Sequence, residues 1–170
     1  MKKILLLTLL LLSSFIIVGC GNNESEKKDD LIKIDGTVKK TKYKKLICKS
    51  DFYDEGYMGS VTVVIDYNTE GKPTKFYETL SITYDEDVYN KFEEPKEEKM
   101  KDIAKQLENS FLEGNKKYNM SHTNSVNKNI IEANFTSEDP NLLKETGDLE
   151  TEKENSEKDG HFCFVQDVEF

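Results

Sequence analysis

Two neighbouring stretches of the chain alternate between apolar and polar residues with a period of two. Residues 60–67 carry apolar side chains at every odd position. Residues 74–84 alternate in the same way, except that Glu78 occupies a position on the apolar face. Because successive side chains of a strand point to opposite faces, this pattern predicts two half-buried β-strands joined by a short loop.

The hydrophobic period changes between Pro95 and Gly114. Apolar residues recur there at spacings of three and four, which predicts an amphipathic helix. Pro95 suits the first helical position, and Gly114 suits the position after the last turn. The predicted apolar stripe consists of Met100, Ile103, Ala104, Leu107 and Phe111.

The remaining segments complete an α+β prediction. Residues 137–147 suggest a turn or short helix, and the polar residues 148–160 suggest an exposed helix or a loop. Residues 53–60 contain Gly56 and Gly59 and predict a turn. The fold class that follows is an antiparallel sheet of about five strands with one main amphipathic helix packed on it. Further strand-like segments are found at 42–52, 117–122, 129–136 and 161–170.

The first twenty residues have the layout of an export signal. Two lysines precede an apolar run, which ends in Ile17-Val18-Gly19-Cys20. This ending resembles the bacterial lipobox, in which the cysteine thiol receives a diacylglycerol. We therefore predict a lipoprotein signal peptide at 1–19, a lipidated Cys20 with a polar tether at 20–36, and a small α+β domain at 37–170. The predicted location is the extracytoplasmic face of the cell membrane, where two acyl chains form a stable anchor.

The charge of the chain narrows the range of partners. The formal net charge is −9, and all 24 basic residues are lysines. Nucleic acid is a poor partner for such a chain, because its recognition requires clustered positive charge. The predicted partners are the membrane, through the lipid on Cys20, and an unidentified envelope protein or small ligand.

The loop that starts at Asp66 resembles the beginning of a calcium-binding loop. Asp66, Asn68 and Glu70 alternate, and Gly71 follows. An EF-hand loop needs a bidentate Glu at position 12, but Tyr77 occupies that position, and strands rather than helices are predicted on both sides. The sequence therefore predicts a hairpin turn here.

Two cysteines remain after Cys20 is assigned to lipidation. An exported protein lies outside the reducing cytosol, so we predict a disulfide between Cys48 and Cys163. One alternative is two separately buried thiols. Another is a zinc site that joins both cysteines to His122 and His161. A third is a thiol-dependent enzyme that uses Cys163 and His161.

Motifs of the common enzyme classes are missing from the sequence. It contains no G-x-S-x-G, P-loop, H-E-x-x-H or dinucleotide-binding fingerprint. The predicted role is therefore a non-enzymatic binding or structural one in the cell envelope, with no catalytic residue, metal or cofactor. A small thiol-dependent enzyme and a metal-binding accessory protein are the alternatives.

The layout as a whole resembles a family of small bacterial lipoproteins. The lipobox, the early Cys48, the glycine-containing hairpin loop and the central helix are followed by Glu157, Gly160 and Cys163, a Glu-x-x-Gly-x-x-Cys ending. This arrangement is similar to that of the YehR-like lipoproteins over residues 37–165. The resemblance implies a membrane-tethered α+β domain without an assigned activity, in which Cys48 pairs with Cys163.

Overall fold

A six-stranded antiparallel sheet organises the protein. The computed structural model describes residues 42–169. The strand order is β4-β5-β3-β2-β1-β6, and each pair of neighbours is antiparallel. The strands are β1 (Lys42–Asp54), β2 (Tyr57–Tyr67), β3 (Pro73–Tyr84), β4 (Ser121–Asn127), β5 (Ile130–Ser137) and β6 (Phe162–Glu169).

Within residues 42–169, four helices connect the strands. A short helix follows β3, and the long amphipathic helix leads to β4 at one edge of the sheet. The other two helices lie between β5 and β6, and both begin at an aspartate whose side chain accepts a backbone amide of the first turn. The helices are α1 (Glu86–Tyr89), α2 (Lys96–Gly114), α3 (Pro140–Thr146) and α4 (Leu149–Lys158).

The core lies on one face of the sheet. Alternate residues of β1, β2, β3 and β5 are buried there, and they pack with the stripe of α2 and with Leu149 of α4. Helix α2 lies over β4 and β5, and α4 lies over β6 and β1. The opposite face, which we call the open face, carries half-buried or exposed residues such as Thr62, Thr79 and Ser81. The burial pattern thus follows the period of two in the sequence.

The α+β class and the antiparallel sheet are confirmed, with six strands instead of about five. The predicted turn at 53–60 was too long, because only Glu55 and Gly56 form the turn between β1 and β2. Gly59 lies inside β2, where a Cβ would overlap the ring of Phe52 on the paired strand. The glycine there makes room for an aromatic ring and does not break the strand.

The amphipathic helix is confirmed with shifted ends. Pro95 is the N-cap residue and not the first helical residue, and Gly114 is the last helical residue, with Asn115 as the C-cap. Met100, Ala104, Leu107 and Phe111 of its stripe are buried. The signal peptide, Cys20, the tether and residues 37–41 of the predicted domain lie outside the described residues.

Candidate functional site: the edge strand β6 and its surroundings

Cys48 and Cys163 occupy directly paired positions of β1 and β6. Their sulfur atoms are 2.09 Å apart, which is a disulfide distance, and both residues are buried. The pair links the edge strand β6 to its neighbour across 115 residues of sequence. Their Cα atoms are 4.1 Å apart, which is typical of a pair that exchanges no backbone hydrogen bonds. The backbone N–H and C=O of Cys163 therefore point away from β1, towards the outer edge.

The zinc arrangement considered from the sequence is wrong. His122 lies on β4, at the opposite edge of the sheet from both cysteines, and its Nε2 is 3.1 Å from Glu108 of α2. Only His161 comes near the cysteine pair, since it directly precedes β6. Between residues 42 and 169, no three His, Cys, Asp or Glu side chains are grouped as metal ligands.

The loop after Asp66 is a hairpin turn, as predicted. The side-chain oxygen of Asn68 accepts the backbone amides of Glu70 and Lys72, at 3.0 Å each. The carboxylate of Asp66 is 3.3 Å from the ammonium of Lys45 on the neighbouring strand. Asn68 thus stabilises the turn in the way that asparagine commonly does, and Asp66 belongs to the surface of the sheet.

Two aromatic side chains of β6 are exposed on the open face. Phe162 is 71% exposed and Phe164 is 38% exposed, with ring centroids 6.1 Å apart. Phe164 is paired with Ile47 of β1, which in turn is paired with Val64 of β2. These four side chains form what we call the β6 apolar patch. The sequence signal for this patch was the alternation along β6, because the two neighbours of an inward-facing Cys163 must face outward. As long as the orientation of Cys163 is unknown, residues 161–170 can be recognised only as an apolar segment.

The helix side of β6 is acidic. Residues 148–160, which contain α4, carry six acidic residues and two lysines. Burial, together with the nearby charge of Asp159, raises the pKa of Glu152 to about 7. Tyr67 of β2 is fully buried, and its hydroxyl has no hydrogen-bond partner among the described residues. Burial, with a contribution from Glu152 and Asp148, raises the pKa of that hydroxyl.

Glu78 is buried at the centre of the sheet. It lies on the core face of β3 between Val63 of β2 and Phe135 of β5, and it is 3% exposed. Its Oε1 has no hydrogen-bond partner among the described residues, and burial raises the pKa of this carboxyl to about 8. At neutral pH the proton therefore stays on Glu78. Glu78 is the exception to the alternating pattern noted in the sequence.

Comparison with known proteins adds little to this picture. No protein-family model matches the chain. No curated protein is similar to it in sequence. One similar solved structure is the "NMR structure of the protein from Streptococcus pneumoniae TIGR4", with 10% identity and a TM-score of 0.43 over 86% of this chain and 99% of that chain. Within residues 42–169 no helix has the length and apolar character needed to cross a membrane.

Proposed function

We propose that this protein is an envelope lipoprotein, anchored through Cys20, whose α+β domain is a non-enzymatic binding module. The lipobox-like ending of residues 17–20 supports the anchor. The resemblance to the YehR-like lipoproteins is part of the same proposal. The single observation that favours binding is the exposure of Phe162 and Phe164, together on one face of an edge strand.

Exposure of two neighbouring aromatic side chains to water is unfavourable, and such a pair is usually retained for binding. Large apolar side chains that are grouped on a surface are typical of interaction sites, whereas scattered ones are ordinary. The β6 apolar patch extends from Phe164 to Ile47 and Val64 across three paired strands. This surface is suited to contact with a protein partner, and the tether would give the domain access to partners in the envelope.

The thiol-dependent enzyme is the weaker alternative. A catalytic thiol must be free and ionised to act as a nucleophile. The sulfur of Cys163 is at disulfide distance from that of Cys48, and Cys163 is only 6% exposed. A bonded and buried sulfur favours a structural role for the pair.

Labelling in a bacterial host tests the anchor. Cells that express the chain are fed an alkyne-tagged fatty acid, and the protein is then examined for label and for processing. We expect the wild-type chain to be labelled and the Cys20→Ala chain to be unlabelled and unprocessed. Equal labelling of the two chains would contradict the lipoprotein assignment.

Site-specific cross-linking on intact cells tests the binding role. A photoreactive phenylalanine analogue replaces Phe162 on β6 or, as the matched control, Thr123 on the other edge strand. We expect a discrete adduct of reproducible mass from position 162 and none from position 123. No adduct at either position, or the same adducts at both, would argue against a binding module that works through β6.

A further inference from the structure

The outer edge of β6 presents a row of backbone groups that pair with no other strand among residues 42–169. Successive residues of an antiparallel strand alternate between facing the neighbour and facing away. Because the backbone of Cys163 points away from β1, the amides of Val165 and Asp167 point the same way. In the part of the chain that the structure describes, no strand pairs with this edge. These groups are available to a further strand.

The edge carries the charges of Asp167 and Glu169 but has no proline, lysine or bulge to oppose strand addition. Natural edge strands are commonly interrupted by proline, lysine or a bulge. Residues 162–169 contain no proline and no lysine, and their register with β1 is unbroken over eight residues. This regular edge, together with the two exposed phenylalanines, is suited to main-chain pairing with an extended peptide.

The two faces beside this edge differ in chemistry. An added strand would alternate its side chains between the open face, beside Phe162 and Phe164, and the helix side, which is the side of the sheet on which α4 packs. The open face is apolar at these two phenylalanines. The helix side carries more acidic than basic groups. Residues 148–160 with Asp167 and Glu169 contribute eight acids, against four lysines when Lys42 and Lys44 of the same face of β1 are counted. A matching segment would carry apolar residues at one set of alternate positions and basic residues at the other.

We propose that the outer edge of β6 binds an extended partner segment in which apolar residues alternate with lysine or arginine. This inference rests on the proposed binding role and names its surface and the chemistry of its partner. Charge complementarity favours a segment with lysine or arginine over a second copy of the chain as the strand that pairs with β6. A second β6 would contribute Cys163, Val165 and Asp167 to the helix side and no basic residue.

Peptide binding to the full chain in detergent micelles tests the proposal. The probe is a fluorescently labelled Ac-Lys-Val-Lys-Val-Lys-Val-Lys-Val-NH2, followed by anisotropy and by amide exchange of β6. We expect saturable binding that protects the amides of β6. Replacement of lysine by glutamate in the probe should weaken binding at least tenfold, and N-methylation of alternate amides should abolish it.

Variants of the protein locate the contact. Val165→Pro removes an outward amide without removing a hydrogen bond to β1, whereas Val165→Ala retains that amide and is its control. We expect at least tenfold weaker binding for Val165→Pro than for Val165→Ala, at least tenfold weaker binding for Phe162→Ser than for the wild type, and unchanged binding for Thr123→Ala on β4. Phe162→Ser keeps the test valid if the proline variant is unstable.

Three results would overturn the proposal. They are no binding of the lysine probe, equal binding of the glutamate probe, and equal binding by all variants. A dimer by native mass spectrometry without probe binding would assign the edge to a second copy and would also overturn it. None of these results bears on the labelling at Cys20, so failure of this inference and failure of the lipoprotein assignment are distinguishable.

Discussion

The two edge strands of the sheet differ in composition and in how they are held. β4 has seven residues, of which only Val126 is apolar, and it is joined to α2 through His122 and Asn124, which both contact Glu108. β6 has eight residues, exposes two phenylalanines, and is joined to β1 by the Cys48–Cys163 pair. A polar edge needs little protection from other chains. The apolar edge is the one that is fixed by a covalent link.

Removal of the cysteine link should have the largest effect. In the chain-entropy model, closing 115 residues stabilises a domain by at most about 5 kcal/mol. We expect the double variant Cys48→Ser/Cys163→Ser to melt roughly 10–20 °C below the oxidised wild type by differential scanning calorimetry. Reductant should lower the melting temperature of the wild type in the same way and leave the variant unchanged. If the oxidised wild type and the variant melted at the same temperature, the cysteine link would not stabilise the β6 edge, and the two edges would not differ in this respect.

Glu78 lies at the centre of the sheet, so its effect on stability can be compared with the effects of residues at the two edges. The pKa of its carboxyl is raised to about 8, above its ordinary value of 4.5 in the unfolded chain. The stabilising contribution of the proton is complete below pH 4.5 and is lost as the pH rises through 8. Between pH 5 and pH 9, we expect the free energy of unfolding of the wild type to fall by roughly 3–5 kcal/mol more than that of Glu78→Gln. Urea unfolding at both pH values measures this, and identical pH profiles would show that Glu78 is solvated.

Glu152 should make the β6 side sensitive to pH and leave the β4 side unaffected. Burial raises the pKa of Glu152 from 4.5 to about 7, so its contribution is present below pH 4.5 and is lost as the pH rises through 7. Between pH 6 and pH 8 we expect the protection factors of α4 and β6, which correct for the base-catalysed rise in the intrinsic exchange rate, to fall by an amount that corresponds to roughly 1–2 kcal/mol of local stability. In β4, the protection factors of the wild type and of Glu152→Gln should agree at each pH. Glu152→Gln should abolish this fall in α4 and β6, and a fall of the same size in the variant would contradict the prediction.

The contact between His122 and Glu108 at the β4 edge should contribute less. His122 and Glu108 are 3.1 Å apart, with 39% and 15% of their side chains exposed. Partly exposed pairs of this kind contribute up to about 1 kcal/mol. We expect Glu108→Gln, which keeps an acceptor for Asn124, to lower the free energy of unfolding at pH 6 by less than that amount. A loss of several kcal/mol in urea unfolding would mean that the β4 edge depends on this contact as β6 depends on its cysteines.

The smallest stability effect is expected at Phe162. Because its side chain is 71% exposed, Phe162→Ser should change the free energy of unfolding by no more than about 0.5 kcal/mol. The same variant should weaken peptide binding at least tenfold if β6 is the contact edge. A large loss of stability would show that the ring packs against the domain and does not face a partner.

The periodic patterns of the sequence predicted the elements more closely than their ends. Periods of two and of three to four depend on which face is buried, so β2, β3 and α2 could be assigned from residues such as Val61 and Leu107. Gly59 was misjudged because the ring that covers it, Phe52, lies on another strand. β4 was predicted to begin at residue 117, but it begins at Ser121, because the apolar Tyr118 and Met120 precede the strand and pack on the core outside it.

The sequence by itself determined the lipobox pattern, the α+β class and the likeness of residues 66–71 to a turn, because each depends on residues that are close along the chain. Only the tertiary structure decided which strands form the edges. It brought Cys48 beside Cys163, separated both from His122, and placed Phe162 and Phe164 outside the core. These outcomes depend on the order of strands in the sheet. That order is set by contacts between distant segments, and local periodicity contains no information about it.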